Sequence, residues 1–134
     1  MTDRKAKVLI IDDEEDLVEM LALRLSASGL FDVRTSNDGP GGLEKARQDP
    51  PDVVLLDNVM PLMEGWEVCR HLREDSRTRD AKIIIMTAGS PTKSQKRARE
   101  ERVEHVLLKP YDHEQLIELI RTAGAAARQE GSHA

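Results

Sequence analysis

Four short runs of mostly branched apolar residues punctuate this chain of 134 residues: KVLII (7–11), DVVLL (52–56), KIIIM (82–86) and HVLL (105–108). Each stops at a polar residue, and none carries the strict alternation of a half-solvated strand. They are too short for buried helices and too continuous for strands wetted on one face, so they read as strands covered on both faces. A fifth segment, FDVRT (31–35), does alternate, as an edge strand would.

Helical spacing fills the intervals. Leu17, Leu21 and Leu25 share one face after an acidic stretch from Asp12 to Asp16, and acids in a first turn complement the helix dipole. Trp66, Cys69 and Arg73 fall on one side of a helix that begins after Pro61 and Gly65, and Leu116, Ile117 and Ile120 mark a last one. Residues 43–47 form a short second helix, its start blurred by Pro40-Gly41-Gly42. Strands alternating with helices require right-handed crossovers and hence a parallel sheet covered on both sides. The expected fold is α/β: a flavodoxin-like (βα)5 three-layer sandwich with strand order 2-1-3-4-5. One domain should occupy 1–122, with the small and polar residues 123–134 as a disordered tail.

Several function classes are disfavoured by composition. No apolar run approaches the roughly 18–20 residues of a membrane span, and MTDRKAK leads straight into a strand without a secretory signal, so a soluble cytoplasmic protein is expected. Cys69 is the single cysteine, which precludes an internal disulfide, and its apolar-periodic setting suits a buried structural thiol. A net charge of -5 argues against generic nucleic-acid binding.

The chemistry lies where the strands end. In the order 2-1-3-4-5, strands 1, 3, 4 and 5 are neighbours, and their carboxyl ends carry Asp12-Asp13, Asp57, Thr87 and Lys109. Taken singly, each has a plain structural role: Asp12 or Asp13 as a helix cap, Asp57 opening a turn before Pro61, Thr87 and Lys109 as solvated strand ends. Gathered around one crevice, they make a reactive set. Three carboxylates repel one another unless a cation compensates, and hard oxygen ligands favour Mg²⁺ or Mn²⁺. No His or Cys cluster accompanies them to suggest zinc. A carboxylate beside such an ion can attack phosphorus to form an acyl phosphate, with Lys109 as the compensating cation and Thr87 as a hydroxyl donor.

Across about residues 5–122 the chain resembles the receiver domains of bacterial two-component response regulators, including the single-domain chemotaxis regulator. The matching segments are VLIIDDEEDL, VVLLDNVMPLMEGWE, IIIMTAG and LLKPY. The resemblance implies that Asp57 is the phosphoacceptor, that Asp13 and Asp57 bind the metal directly, and that Asp12 acts mostly through water. It implies further that Val59 offers its backbone carbonyl to the metal, and that Thr87 and Lys109 bind phosphoryl oxygens. Ala88 is small enough to leave access, and the Lys109-Pro110 bond is expected to be cis. The implied partners are a histidine kinase or phosphotransfer protein upstream and an unidentified protein target downstream of a stand-alone domain.

Two positions depart from the resemblance. An aromatic residue usually stands three places before the Lys, and here Val106 stands there, with His105 facing the other way. The signal is then expected to pass through backbone or helix movement. Residues 92–104 are also densely charged, with only Ala98 and Val103 apolar, so this helix is expected to be short, displaced or mobile. Two other functions are weighed. A phosphohydrolase would place a second Asp two residues after the nucleophile, where Val59 stands; a phosphorylation-independent interaction module would not need the acidic set. No GxxxxGK[ST] loop supports nucleotide binding.

Overall fold

The computed structural model describes the backbone of residues 4–132 and the side chains of residues 4–127. Strands and helices alternate throughout: β1 (Ala6–Ile11), α1 (Glu15–Ala27), β2 (Phe31–Ser36), α2 (Gly39–Gln48), β3 (Val53–Asp57), α3 (Gly65–Glu74), β4 (Lys82–Thr87), α4 (Pro91–Glu101), β5 (His105–Leu108) and α5 (His113–Ser132). All strand pairings are parallel, in the order β2-β1-β3-β4-β5 expected of the flavodoxin-like fold.

Alternation within the apolar runs builds two cores. Leu9, Ile11, Val54, Leu56, Ile83 and Ile85 face α2, α3 and α4, meeting Leu43, Ala46, Val68, Leu72 and Ala98. Val8, Ile10, Val53, Leu55, Ile84 and Met86 face α1 and α5, meeting Leu21, Leu25, Leu116 and Ile120. Fully burying one such side chain is worth about 1.5–3 kcal/mol, so the central strands are pinned from both sides. The register sets Ile11 beside Leu56, Asp57 beside Met86, and Thr87 beside Leu108, which aligns the four carboxyl ends.

Three helices differ from their sequence expectation. α2 begins at Gly39, well before residue 43, because Asp38 caps it by accepting the Gly41 N–H at 2.7 Å and Pro40 presets the first turn. Gly42 lets that turn lie against β1: a Cβ there would stand 2.4 Å from Ile11 Cδ1. α4 is not short. It runs for 11 residues between a Ser90 cap and a left-handed Arg102, with Ser94 and Ala98 buried. Its apolar stripe is thin, as read from the sequence, but Arg97 supplements it by laying its guanidinium 5.6 Å from the Trp66 ring centroid. α5 continues through Ser132, so the expected disorder from residue 123 is corrected up to that point; residues 133–134 lie outside the described residues. Ala123 is buried there, and Gly124 allows close approach to Ala6 and Phe31. The stretch read as small and polar is also rich in alanine, the best helix former.

Cys69 is buried, and burial pushes its thiol up to about 12, in keeping with a structural role. No helix is long and apolar enough to cross a membrane among the described residues.

Two expectations about stability follow from this packing. Deleting residues 123–134 removes the buried Ala123 and should lower unfolding free energy in urea by about 1 kcal/mol. Gly65 has no room for a methyl group, since a Cβ would lie 2.6 Å from the Asp57 carbonyl oxygen and 2.8 Å from Asn58 Cα. Backbone cannot step aside as a flexible side chain can, so Gly65→Ala should cost about 2 kcal/mol or more in the same measurement.

Candidate functional site

Parallel strands all deliver their carboxyl ends to one edge, and that edge holds the polar residues the apolar runs stop at. Asp12 follows β1, Asp57 ends β3, Thr87 ends β4 and Lys109 follows β5. Asp12, Asp57 and Thr87 are 2%, 5% and 4% exposed, an unusual degree of burial for two carboxylates at a chain's polar edge. Asp13 is exposed.

One carboxylate oxygen from each of Asp12, Asp13 and Asp57 can be chosen so that all lie within 4.8 Å of one another. Lys109 closes the group, with Nζ 2.9 Å from Asp57 Oδ1. Its backbone N–H also donates to the Thr87 carbonyl at 2.9 Å, which extends the β4–β5 pairing and brings the lysine to the site. The Lys109-Pro110 bond is cis. Gly65 and Asn58 lock the opposite wall: the Asn58 N–H donates to the Met86 carbonyl at 2.9 Å, and the Gly65 N–H to the Asn58 carbonyl at 2.8 Å.

The electrostatics are those of a crowded anionic pocket. Burial pushes the Asp12 carboxyl up to about 6, against the lowering effect of the Glu14 backbone N–H, which donates to Asp12 Oδ1 at 3.0 Å; the neighbouring Asp57 raises it further and Lys109 lowers it. Asp12 thus accepts from the turn just before α1 while facing the pocket, but the cap position of that helix is Glu14, without a side-chain cap bond, so Asp12 does not take the capping role expected from the sequence. Burial pulls Lys109 down, but the hydrogen bond to Asp57 and the charges of Asp57, Asp12 and Glu14 outweigh it and raise its pKa. Two buried carboxylates and a third nearby, with one lysine among them, leave uncompensated negative charge. An all-oxygen donor set of this kind fits a hard divalent cation such as Mg²⁺.

The sequence-predicted residues divide into two groups. Asp12, Asp13, Asp57, Thr87 and Lys109 come together as one crevice. Val59 stands on the loop after β3 and is 73% exposed. Ala88 is exposed beside Thr87, and Pro110 follows Lys109. Val106 lies on the other side of the sheet from Leu107: it packs half-buried against the α3–α4 core, and Leu107 packs with α5. His105, on the Leu107 side by alternation, stays away from Val106, as expected.

Two features escaped sequence reading. Tyr111 stands near the acids, where burial first and then the charges of Asp12, Glu14 and Asp57 push its hydroxyl up to about 12. Its place two residues beyond Lys109 was the available signal. Thr87 Oγ1 accepts the Gly89 N–H at 3.1 Å, a contact that no residue pattern announces.

Known proteins share this arrangement. The model of the response regulator receiver domain matches residues 8–121. Response regulator PleD of Caulobacter vibrioides is 36% identical over 117 residues, which are 87% of this chain and 26% of PleD. Response regulator ArlR of Staphylococcus saprophyticus is 36% identical over 115 residues, 86% of this chain and 50% of ArlR. The chain therefore spans between about a quarter and a half of the length of these relatives. Among solved structures, Vibrio cholerae chemotaxis protein CheY4 superposes with a TM-score of 0.82 at 28% identity, covering 90% of this chain and 99% of that one. With the strand order, the acidic edge and a family match covering most of its length, the chain belongs to the response regulator receiver domain family of two-component signalling.

Proposed function

We propose that this receiver domain accepts a phosphoryl group on Asp57 and thereby changes its affinity for a protein partner. The reading is carried by one observation: Lys109 Nζ lies 2.9 Å from Asp57 Oδ1 at the rim of a three-carboxylate cluster. Lys109 holds Oδ1, so Oδ2 is the oxygen positioned to attack. The upstream donor is a phosphohistidine of a histidine kinase or phosphotransfer protein. In the transfer, a bond forms from Asp57 Oδ2 to phosphorus, the P–N bond breaks, and the imidazole departs with its electron pair.

Asp12, Asp13 and Asp57, with the Val59 carbonyl, would hold Mg²⁺, which supplies charge neutralisation for the phosphoryl oxygens when bound. Thr87 donates its hydroxyl to one phosphoryl oxygen and Lys109 pairs with another. Gly65 and Ala88 leave the approach free of side-chain bulk. Val59 brings no acid to the position where an aspartyl-phosphate hydrolase would need one, so the domain serves as a phosphoacceptor with slow self-dephosphorylation and does not turn over external substrates. The output is a shift between surface conformations that a target protein distinguishes.

Incubation with acetyl phosphate and Mg²⁺, followed by intact-mass measurement, should show one phosphoryl group per chain. Chelating the metal or replacing Asp57 by Asn should abolish it, and equal labelling of Asp57→Asn would reject the assignment. Lys109→Ala should retain the metal and lose at least about tenfold in labelling rate, as for loss of one charge-assisted contact in a transition state.

Binding of Mg²⁺ should be visible without any phosphodonor. At an ion concentration 100 times the dissociation constant, linkage predicts about 2.7 kcal/mol of added stability, read as a rise in Tm. Asp13→Asn should remove most of that increment, and an unchanged increment would exclude this cluster as the metal site.

A further inference from the structure

β2 is an edge of the sheet, paired among the described residues with β1 alone. In that pairing the Ala6 N–H donates to the Leu30 carbonyl and the Asp12 N–H to the Ser36 carbonyl, both at 3.1 Å, and Ala6 stands beside Phe31. A strand residue turns its N–H and C=O to the same side, so residues 32, 34 and 36 face β1. Phe31, Val33 and Thr35 turn theirs outward, away from the sheet. Such a row is a template for another strand.

Little covers it. Lys45 of α2 donates through Nζ to the Thr35 carbonyl, the one side-chain bond to an outward backbone group of β2 among the described residues. Beside the strand runs a groove of about 750 Å³ between α1 and α2, lined by Glu19, Leu23 and Ser26 of one helix, Gly41 and Lys45 of the other, and Thr35. Leu23, on that groove, and Leu30, just before the strand, are 66% and 42% exposed. Large apolar side chains left in water beside an unpaired strand suit a surface that another chain covers.

The sequence of the strand identifies the occupant. The outward positions 31, 33 and 35 are symmetric about Val33. When a second β2 lies antiparallel across a two-fold axis at Val33, the two Val33 residues exchange both backbone bonds, and Phe31 of each copy exchanges both with Thr35 of the other. Asp32 then stands directly opposite Arg34, and Arg34 opposite Asp32, at the closely spaced positions between those bonded pairs. Asp32-Val33-Arg34 is thus charge-complementary to itself in reverse. The neighbouring registers, centred on residue 32 or 34, set Asp32 against Asp32 or Arg34 against Arg34, so charge selects the one centred on Val33. In the single chain Asp32 is exposed and has no cationic partner among the described residues. Arg34 is oriented by the Lys45 and Asp49 carbonyls, which occupy two of its five N–H donors and leave the rest for a carboxylate.

We propose that the chain self-associates through β2, two copies joining their five-stranded sheets edge to edge about Val33, with Asp32 of each copy paired to Arg34 of the other. The Thr35 carbonyl has two lone pairs, so it accepts from the second strand whether or not Lys45 stays. The association needs no phosphoryl group on Asp57.

Sedimentation equilibrium of the full chain, without a phosphodonor and from about 1 µM to about 1 mM, should show monomers in equilibrium with dimers. Asp32→Arg sets like charges opposite each other at both pairs and should weaken the dimer at least about tenfold, and Arg34→Asp should do the same. Each of these variants supplies the charge that the other lacks. Mixing the two should therefore restore association, as should the double substitution Asp32→Arg/Arg34→Asp.

Arg34 also holds α2, and should Arg34→Asp fail to fold, amide exchange on the parent chain decides without a variant. Raising the concentration should slow the amides of Phe31, Val33 and Thr35 and leave those of Asp32 and Arg34, already bonded to β1, unchanged. A chain monomeric throughout, a dimer indifferent to Asp32→Arg, folded variants that do not associate on mixing, or a dimer without protection at 31, 33 and 35 would overturn the proposal.

Discussion

A parallel sheet sends every strand's carboxyl end in the same direction, and in this protein that constraint concentrates charge. Asp12, Asp57 and Thr87 are carried to one edge by strands with no freedom to shift, because each central strand is packed on both faces. Burying carboxylates side by side is unfavourable on its own. It is tolerated here because Lys109 contacts Asp57 and because the Glu14 N–H serves Asp12. The compensation is incomplete: burial first, and the Asp57 charge to a smaller extent, pushes the Asp12 carboxyl up to about 6 despite the Glu14 N–H and Lys109. An edge left short of positive charge is the physical basis for reading this crevice as a cation and phosphoryl site.

The helices divide their work between the two faces. α1 and α5 seal one core with Leu21, Leu25, Leu116 and Ile120, fully or almost fully buried. α4, on the other face, buries only Ser94 and Ala98 and relies on polar anchorage at its end. Arg73 of α3 supplies that anchorage, donating to the Arg102 carbonyl at 3.2 and 2.6 Å and to Glu104 Oε1 at 3.0 Å. The weak apolar stripe noted in the sequence is thus offset by a clamp that appears only in the fold.

The fold was legible in unusual detail because the strands declare themselves: the runs at 7–11, 52–56, 82–86 and 105–108 each match a strand to within a residue or so. Helix ends were less legible. Pro40 and the glycines at 41 and 42 read as an obstacle to α2, yet Asp38 caps the helix and Ile11 leaves room for nothing larger than Gly42. Residues 123 and 124 read as the start of a tail because burial there depends on close approach to Ala6 and Phe31, more than 90 positions away in the chain.

Local sequence was enough to determine the strand positions, the alternation that buries both faces, and the set of polar residues at the strand ends. Those depend on periodicity and on residue chemistry, which act over a few neighbours. Tertiary structure alone decided that Lys109 meets Asp57, that Thr87 accepts from Gly89, that α4 forms a full helix and that Arg73 holds its end. Each of these is a contact whose geometry is set by how whole elements pack, and Arg73 reaches Arg102 across 29 positions of chain that no local pattern connects.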